Sequence, residues 1–148
     1  MFGLVLVAVD GSEIGSRALA EALDVARAMH APIHVVHVVQ TGIYPALMLN
    51  PLEPPDLAQQ AVLDSLEREA DEILAEAERR GTAAGVPATV HKRHGHPGAE
   101  ITALALEIGA DLTVVGSHGR GRLDRFFLGS VSSYVVDHAE STVMVVRG

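Results

Sequence analysis

The chain has 148 residues, a length typical of a single domain, and hydrophobic residues make up 48% of it, which is enough for a substantial core. Its lack of cysteine excludes disulfides, thiolate metal ligands and cysteine nucleophiles. The formal net charge of −8 at pH 7 argues against nucleic-acid binding, because proteins that bind phosphate backbones nonspecifically are usually basic.

The first predicted element is a buried strand from Leu4 to Val9, because this continuous aliphatic run suits a strand covered on both faces. The run has no basic segment before it and is too short to cross a bilayer, so we expect a cytoplasmic protein without membrane contact. Asp10, Gly11 and Ser12 then form a turn, in which Ser12 can cap a helix. The apolar residues between Ala18 and Ala26 recur at helical spacing and predict that helix.

The middle of the chain predicts a second strand, an irregular segment and a long helix. Ile33 to Val39 is rich in β-branched residues and follows a proline, as expected for a strand. Residues 41–55 contain four prolines and several apolar side chains, which favour a packed flap or a partner contact over a free linker. Asp56 can cap the long helix, and Gly81, which follows two arginines, is a typical residue at which such a helix ends.

The remaining elements complete an alternating order. They are a strand at Val86 to Lys92, a helix that begins at Pro97 and ends at Gly109, a strand at Leu112 to Val115, a helix at Ser130 to His138 and a strand at Thr142 to Val146. The order βαβαβαβαβ predicts an α/β fold, with a single open, mostly parallel five-stranded sheet and helices on both faces. In such sheets ligands bind beyond the carboxyl ends of the strands, where we expect Asp10 and Gly116 to lie.

Two glycine-containing turns near the end of the chain form a candidate phosphate site. The sequence Gly-Ser-His-Gly at 116–119 follows a strand, and Gly129 precedes the last helix after nine intervening residues. Glycine lets backbone N–H groups approach an anion closely, and a helix N-terminus adds unpaired N–H groups and the positive end of the helix dipole. The intervening arginines, Arg120, Arg122 and Arg125, suit phosphate; a solvated loop with a chance charge cluster is the alternative.

Other phosphate-binding motifs fit this segment less well. A Walker P-loop requires lysine followed by Ser or Thr, where this chain has Arg122 and Leu123. The dinucleotide fingerprint fails after Gly121, and the nucleophile elbow of hydrolases is absent around Ser117 and Ser130.

The string GSHGRGRLDRFFLGSV at 116–131 resembles the ATP-binding signature of universal stress proteins, in which Gly, two residues, Gly, nine residues and Gly precede Ser or Thr. The segment VAVDGS at 7–12 is also similar to that family's first strand and turn. The resemblance covers nearly the whole chain as one domain, 1–148, and implies a Rossmann-like sheet with strand order 3-2-1-4-5. It also implies bound ATP, and we expect any Mg²⁺ to be held through the nucleotide phosphates.

These arguments give a set of candidate nucleotide-binding residues, and they assign no catalytic residue and no protein metal site. The set is Ala8, Asp10, Gly11, Ser12, Val38, Gly116, Ser117, His118, Gly119, Arg120, Gly121, Arg122, Gly129, Ser130 and Val131. Ala8 and Val38 are assigned to the adenine by the resemblance alone, since their own pattern indicates core. Asp10 could instead bond its own turn, and Ser130 could act only as a helix N-cap.

The histidines also suggest a metal site, which the spacing disfavours. His91, His94 and His96 contain no helical i, i+4 pair and have few carboxylates nearby, so a solvent-facing strand end is the better interpretation. His34 and His37 should lie on opposite faces of their strand, which argues against a joint site.

The favoured function is that of an ATP-binding universal stress protein that acts as a nucleotide-responsive homodimer in stress response. The alternatives are a slow ATPase or phosphotransferase on the same fold, and an interaction module that does not use nucleotide. The loop has no Walker lysine and no clear base, so we expect hydrolysis to be slow at most.

We expect the dimer to form through Thr142 to Val146, because this run is apolar on both faces and carries neither charge nor proline to protect a strand edge. The resemblance points to the same interface.

Overall fold

The computed structural model describes residues 1–40, 53–119 and 128–148. Its strands and helices, in chain order, are β1 (Val5–Ala8), α1 (Glu13–Met29), β2 (Ile33–Val39), α2 (Leu57–Ala83), β3 (Ala88–His94), α3 (Pro97–Ile108), β4 (Leu112–Gly116), α4 (Ser130–His138) and β5 (Thr142–Val146). The predicted alternation of strands and helices is confirmed. The irregular segment predicted at 41–55 lies mostly outside the described residues. Among the described helices, none is long and apolar enough to cross a bilayer.

The five strands form one sheet in the order β3-β2-β1-β4-β5, and all of the paired strands are parallel. This confirms both the fold class and the strand order. The chain builds the sheet outward from β1 through β2 to β3, and then crosses back through α3 to place β4 on the other side of β1. The strand order therefore reverses between β1 and β4, and an open parallel sheet binds ligands at the carboxyl ends of such a strand pair.

The core lies on both faces of the sheet because successive strand residues point to opposite sides. In β1, Val5 and Val7 pack with α1 and α2, whereas Leu6 packs with α3 and α4. All three side chains are fully buried, which explains why the strand is a continuous aliphatic run with no polar alternation.

The predicted start of α2 and both predicted ends of α3 are present. Asp56 and Gln59 form a capping box at the start of α2, in which each side chain accepts a hydrogen bond from the other residue's backbone N–H, at 2.8 and 2.9 Å. Pro97 is the first residue of α3, and Gly109 ends that helix in the left-handed conformation with φ 71°.

The largest differences from the predicted boundaries lie at the end of α2 and at β3, which spans Ala88–His94 instead of Val86 to Lys92. Gly81 does not end α2, which continues to Ala83; a methyl group on Gly81 would lie 2.7 Å from the Val86 carbonyl oxygen, so this glycine permits close packing. The left-handed residue of the turn is Gly85, with φ 78°. β3 begins at Ala88 because Pro87 has no N–H to donate to a strand partner.

Candidate functional site

A cleft of ≈ 430 Å³ opens at the carboxyl ends of β1, β2 and β4, where the strand order reverses. Its walls come from the ends of these strands, the first turns of α1, α3 and α4, and one side of α2. The volume lies within the range of clefts that hold small molecules. The cleft is therefore the candidate site, in the place that the topology predicts.

One part of the cleft is apolar. Val38 and Ala8 contribute from the ends of β2 and β1, Ile101 contributes from α3, and Val131 contributes from α4. These four side chains belong to the hydrophobic cluster on the α3/α4 face, so this wall continues the core instead of interrupting it. Such a wall suits a flat, largely apolar ring system.

The turn after β1 forms one side of the polar part. The Asp10 carboxylate accepts hydrogen bonds through Oδ1 from the Ser12 backbone N–H, at 2.9 Å, and from the Ser12 hydroxyl. Ser12 Oγ in turn accepts from the Gly15 N–H at 3.0 Å and so caps α1, as predicted. Gly11 takes φ 81°, a conformation that a side chain would strain. One oxygen of Asp10 therefore bonds its own turn.

The other oxygen of Asp10 faces the glycine turn after β4. A methyl group on Gly119 would lie 3.0 Å from Asp10 Oδ2, and a methyl group on Gly15 would lie 2.7 Å from Asp10 Oδ1. Neither Gly15 nor Gly119 has a positive φ, so glycine acts at these positions through its lack of a side chain and not through its backbone conformation. The carboxylate is thus fixed between α1 and the β4 turn.

Ser117 ties the β4 turn to two neighbouring elements. It is 2% exposed; its N–H donates to the Val146 carbonyl of β5 at 2.8 Å, and its carbonyl accepts from the Gly129 N–H at 2.6 Å and the Ser132 hydroxyl at 2.9 Å. Its hydroxyl contacts His118 Nδ1 at 3.0 Å. The turn and the start of α4 are therefore held together before any ligand binds.

These bonds determine which backbone donors are available to an anion. The N–H groups of Ser117 and Gly129 are already paired within the protein. The first N–H groups of an α-helix have no partner inside it, so those of Ser130 and Val131 at the start of α4 make no hydrogen bond within the helix and can be donated to a ligand. The same end of the helix carries the positive end of the dipole.

The structure brings most of the predicted residues together. Those that line the cleft are Ala8, Asp10, Val38, Gly116, His118, Gly119, Gly129, Ser130 and Val131. Gly11, Ser12 and Ser117 do not line it, but they hold the turns that do. Arg120, Gly121 and Arg122 lie outside the described residues, as does Arg125.

Ser130 is not the N-cap of α4, which was the alternative role considered for it. The N-cap of α4 is Gly129, which makes no side-chain cap, and Ser130 is the first helical residue and is exposed. Its hydroxyl is therefore not used to cap the helix.

Sequence reasoning missed several residues that shape the site. Gly15 had a usable signal, because a glycine in the first turn of a helix costs about 1 kcal/mol relative to alanine and so indicates close packing. His37 lines the cleft and donates from Nδ1 to the Val9 carbonyl at 2.8 Å, which leaves Nε2 as an acceptor in the neutral ring. Ser132, only 1% exposed, joins the two turns, and its sequence pattern gives no sign of this.

The histidines considered as metal ligands are divided among separate contacts. His91 hydrogen-bonds His34, His94 contacts Glu67, and His96 accepts from the Ala99 N–H at the start of α3. Within residues 1–40, 53–119 and 128–148, no group of three or more His, Asp or Glu side chains could hold a metal ion.

Comparisons with known proteins agree on one family. A model described as "Universal stress protein family" matches residues 1–147. Universal stress protein YxiE of Bacillus subtilis is 32% identical over 148 residues, covering 99% of this chain and 100% of that protein. Universal stress protein UspA from Lactobacillus plantarum superposes with a TM-score of 0.80 at 28% identity, covering 98% of this chain and 97% of that one. A universal stress protein in complex with cAMP gives a TM-score of 0.72 at 28% identity, with the same coverage.

Proposed function

Because the chain belongs to the universal stress protein family, we propose that it binds ATP in the cleft and acts as a nucleotide-responsive dimer in stress response. The observation that carries this proposal is the convergence of the two glycine turns on one cleft at the reversal of strand order. The similar protein in complex with cAMP supports an adenine nucleotide as the class of ligand.

We assign the phosphates to the space between the β4 turn and the start of α4. Ser130 and Val131 offer the N–H donors and the positive end of the α4 dipole, and His118 and Gly119 line the facing wall. Two separate anion-binding elements suit a chain of phosphates better than a single phosphate group. This geometry is the reason for choosing ATP over a cyclic monophosphate.

We assign the adenine to the apolar wall and the ribose to Asp10. Ala8, Val38 and Ile101 provide aliphatic surface against which a purine can pack. A carboxylate repels phosphate but accepts hydrogen bonds from hydroxyl groups, so Asp10 fits the ribose better than the phosphates. Because no group of three metal-ligating side chains is found in the described residues, a Mg²⁺ ion would arrive on the nucleotide phosphates.

Calorimetry with a series of nucleotides tests the proposal. Protein freed of bound nucleotide is titrated with ATP, ADP, AMP and cAMP, and affinity should fall in the order ATP, ADP, AMP, with cAMP no tighter than AMP. Equal affinity for AMP and ATP would contradict the phosphate assignment while keeping the adenine site. Absence of binding by all four nucleotides would reject a nucleotide-binding function and favour the interaction module.

We also propose that the dimer forms by pairing of β5 with β5 of a second copy. β5 pairs with β4 through its even-numbered residues, because the Thr142 N–H donates to Asp111 and the Val146 carbonyl accepts from Ser117. Alternation then directs the N–H and C=O groups of Val143 and Val145 toward the open edge. The side chains of β5 already pack on the two core clusters, so the backbone supplies the main reason for pairing.

A further inference from the structure

Two histidines on neighbouring strands make a direct contact away from the cleft. His34 Nδ1 in β2 lies 2.8 Å from His91 Nε2 in β3, and the two rings are nearly parallel, with an angle of 16° between their planes. His91 stands opposite Val36, whose side chain lies in the α3/α4 cluster, so both imidazoles lie on the α3 side of the sheet. Both are half-buried.

The contact depends on the number of protons that the pair carries. A neutral imidazole has one donor and one acceptor nitrogen, so two neutral rings can form one N–H···N hydrogen bond. After the first protonation the cationic ring can still donate to the neutral one. After the second, both facing nitrogens carry protons, the acceptor is lost, and two positive charges face each other.

The surroundings oppose that second protonation. Burial lowers the pKa of both imidazoles, and the neighbouring charges of His34 and Arg93 lower the pKa of His91 further, against the opposing pull of Glu107. The Glu107 carboxylate is itself paired with Arg93 at 2.7 Å. The other acid of α3, Glu100, lies toward the far end of the helix beside Gly95.

The other charged side chains of this region face away from the pair. Lys92 lies on the opposite side of β3, where it pairs with Glu67 and Asp71 of α2. His94 contacts Glu67 on that same side. β1 carries no ionisable residue. Among the described residues, the carboxylate that favours protonation of His91 is Glu107, and its ion pair with Arg93 offsets that charge.

We propose that the hydrogen bond between His34 and His91 is an acid-sensitive contact, which holds β3 to β2 beneath α3 at neutral pH and breaks when both imidazoles are protonated. Because the folded-state pKa values are lowered, the unfolded chain binds protons first as the pH falls. The stability that the pair contributes is therefore fully present above the ordinary histidine pKa of about 6.5, and it is lost progressively as the pH falls through the lowered pKa values of the folded protein. Since α3 also supplies Pro97 and Ile101 to the cleft, loosening at this corner would reach the cleft wall.

Thermal unfolding between pH 7.5 and 5.0 tests the proposal. His91→Gln keeps a polar group beside His34 but removes one titrating ring, and His30→Asn is the matched control, because His30 is exposed and its left-handed φ of 52° suits asparagine. Across this interval the Tm of the unmodified protein and of the control should fall about 2–4 °C further than that of His91→Gln. Parallel curves for all three proteins would overturn the proposal.

A second measurement needs no variant and remains decisive if His91→Gln does not fold. The imidazole signals of the unmodified protein are followed by NMR as the pH is lowered. The two rings should titrate as a coupled pair in two steps, both below the ordinary histidine pKa. Independent titration of His34 and His91 at or above the ordinary value would reject the proposed contact.

Discussion

Replacement of Gly119 by valine should weaken ATP binding strongly while leaving the fold intact. Gly119 lines the cleft, and its φ is not positive, so a larger residue can adopt its backbone conformation. A Cβ there would lie 3.0 Å from Asp10 Oδ2, and Asp10 has limited freedom to move because Ser12 holds its other oxygen. The added methyl groups therefore either displace Asp10 or occupy part of the cleft, where we place the phosphates.

The size of the effect follows from the hydrogen bonds that the valine would displace. A hydrogen bond to a charged group contributes about 1.5–3 kcal/mol, so the loss of one phosphate contact should weaken ATP about 10- to 150-fold. Gly119→Ala, which adds a single methyl group, should lie near the lower end of this range. Displacement of Asp10 by a few tenths of an ångström should cost only about 1 kcal/mol of folding stability.

Calorimetry with ATP and adenosine separates the site from general damage. Gly3→Ala is the matched control, because Gly3 lies beside Asp111 at the opposite end of the sheet, where a methyl group would meet the Asp111 carboxylate only at 3.6 Å. Affinity for ATP should fall much more than affinity for adenosine in Gly119→Val, and neither should change in Gly3→Ala. Unchanged ATP affinity in a folded Gly119→Val variant would refute the phosphate assignment.

The other predictions concern assembly, turnover and packing. Val145→Pro removes an N–H that faces the open edge of β5 and should convert the dimer to folded monomer in light scattering, whereas Met144→Pro breaks the ladder to β4 and should unfold the edge. A wild-type protein that is already monomeric at micromolar concentration would reject this interface. Steady-state phosphate release should be slow or absent, and robust turnover abolished by Asp10→Asn would favour the enzyme alternative. Gly81→Ala should lower stability by about 1–3 kcal/mol in urea unfolding, since its methyl would lie 2.7 Å from the Val86 oxygen; unchanged stability would contradict that packing role.

The fold could be predicted almost completely because its signals are local. Each aliphatic run marks a strand. Asp56 marks the start of one helix and Gly109 marks the end of another, in each case through contacts with nearby atoms. The errors arose between α2 and β3, where the packing of the turn and a proline set the boundaries. Gly81 has the local properties of a helix end, but the approach of Val86 explains its presence within the helix. The order of the strands came from family resemblance, since periodicity does not specify which strands pair.

The site was predicted less completely, for a related reason. The glycine spacing located both turns, yet it gave no information on the bonds that each backbone N–H already makes. Ser117 was assigned to the nucleotide, whereas its N–H and carbonyl join β5 and α4. Ser132, which completes that junction, belongs to an ordinary helical pattern and carries no local signal.

The glycines of the signature are required by packing within the protein, so their presence is not by itself evidence of nucleotide binding. A methyl group on Gly116 would lie 3.1 Å from Ile14 of α1, and one on Gly129 would lie 3.1 Å from His118 Cα. Together with Gly119 beside Asp10, each glycine of the motif thus allows a different close approach within the folded chain. A family member that no longer bound nucleotide would still need small residues at these positions to close the same turns. The intact pattern is therefore strong evidence for the architecture of the turns, and it is the nucleotide titrations that distinguish an ATP-binding protein from an interaction module.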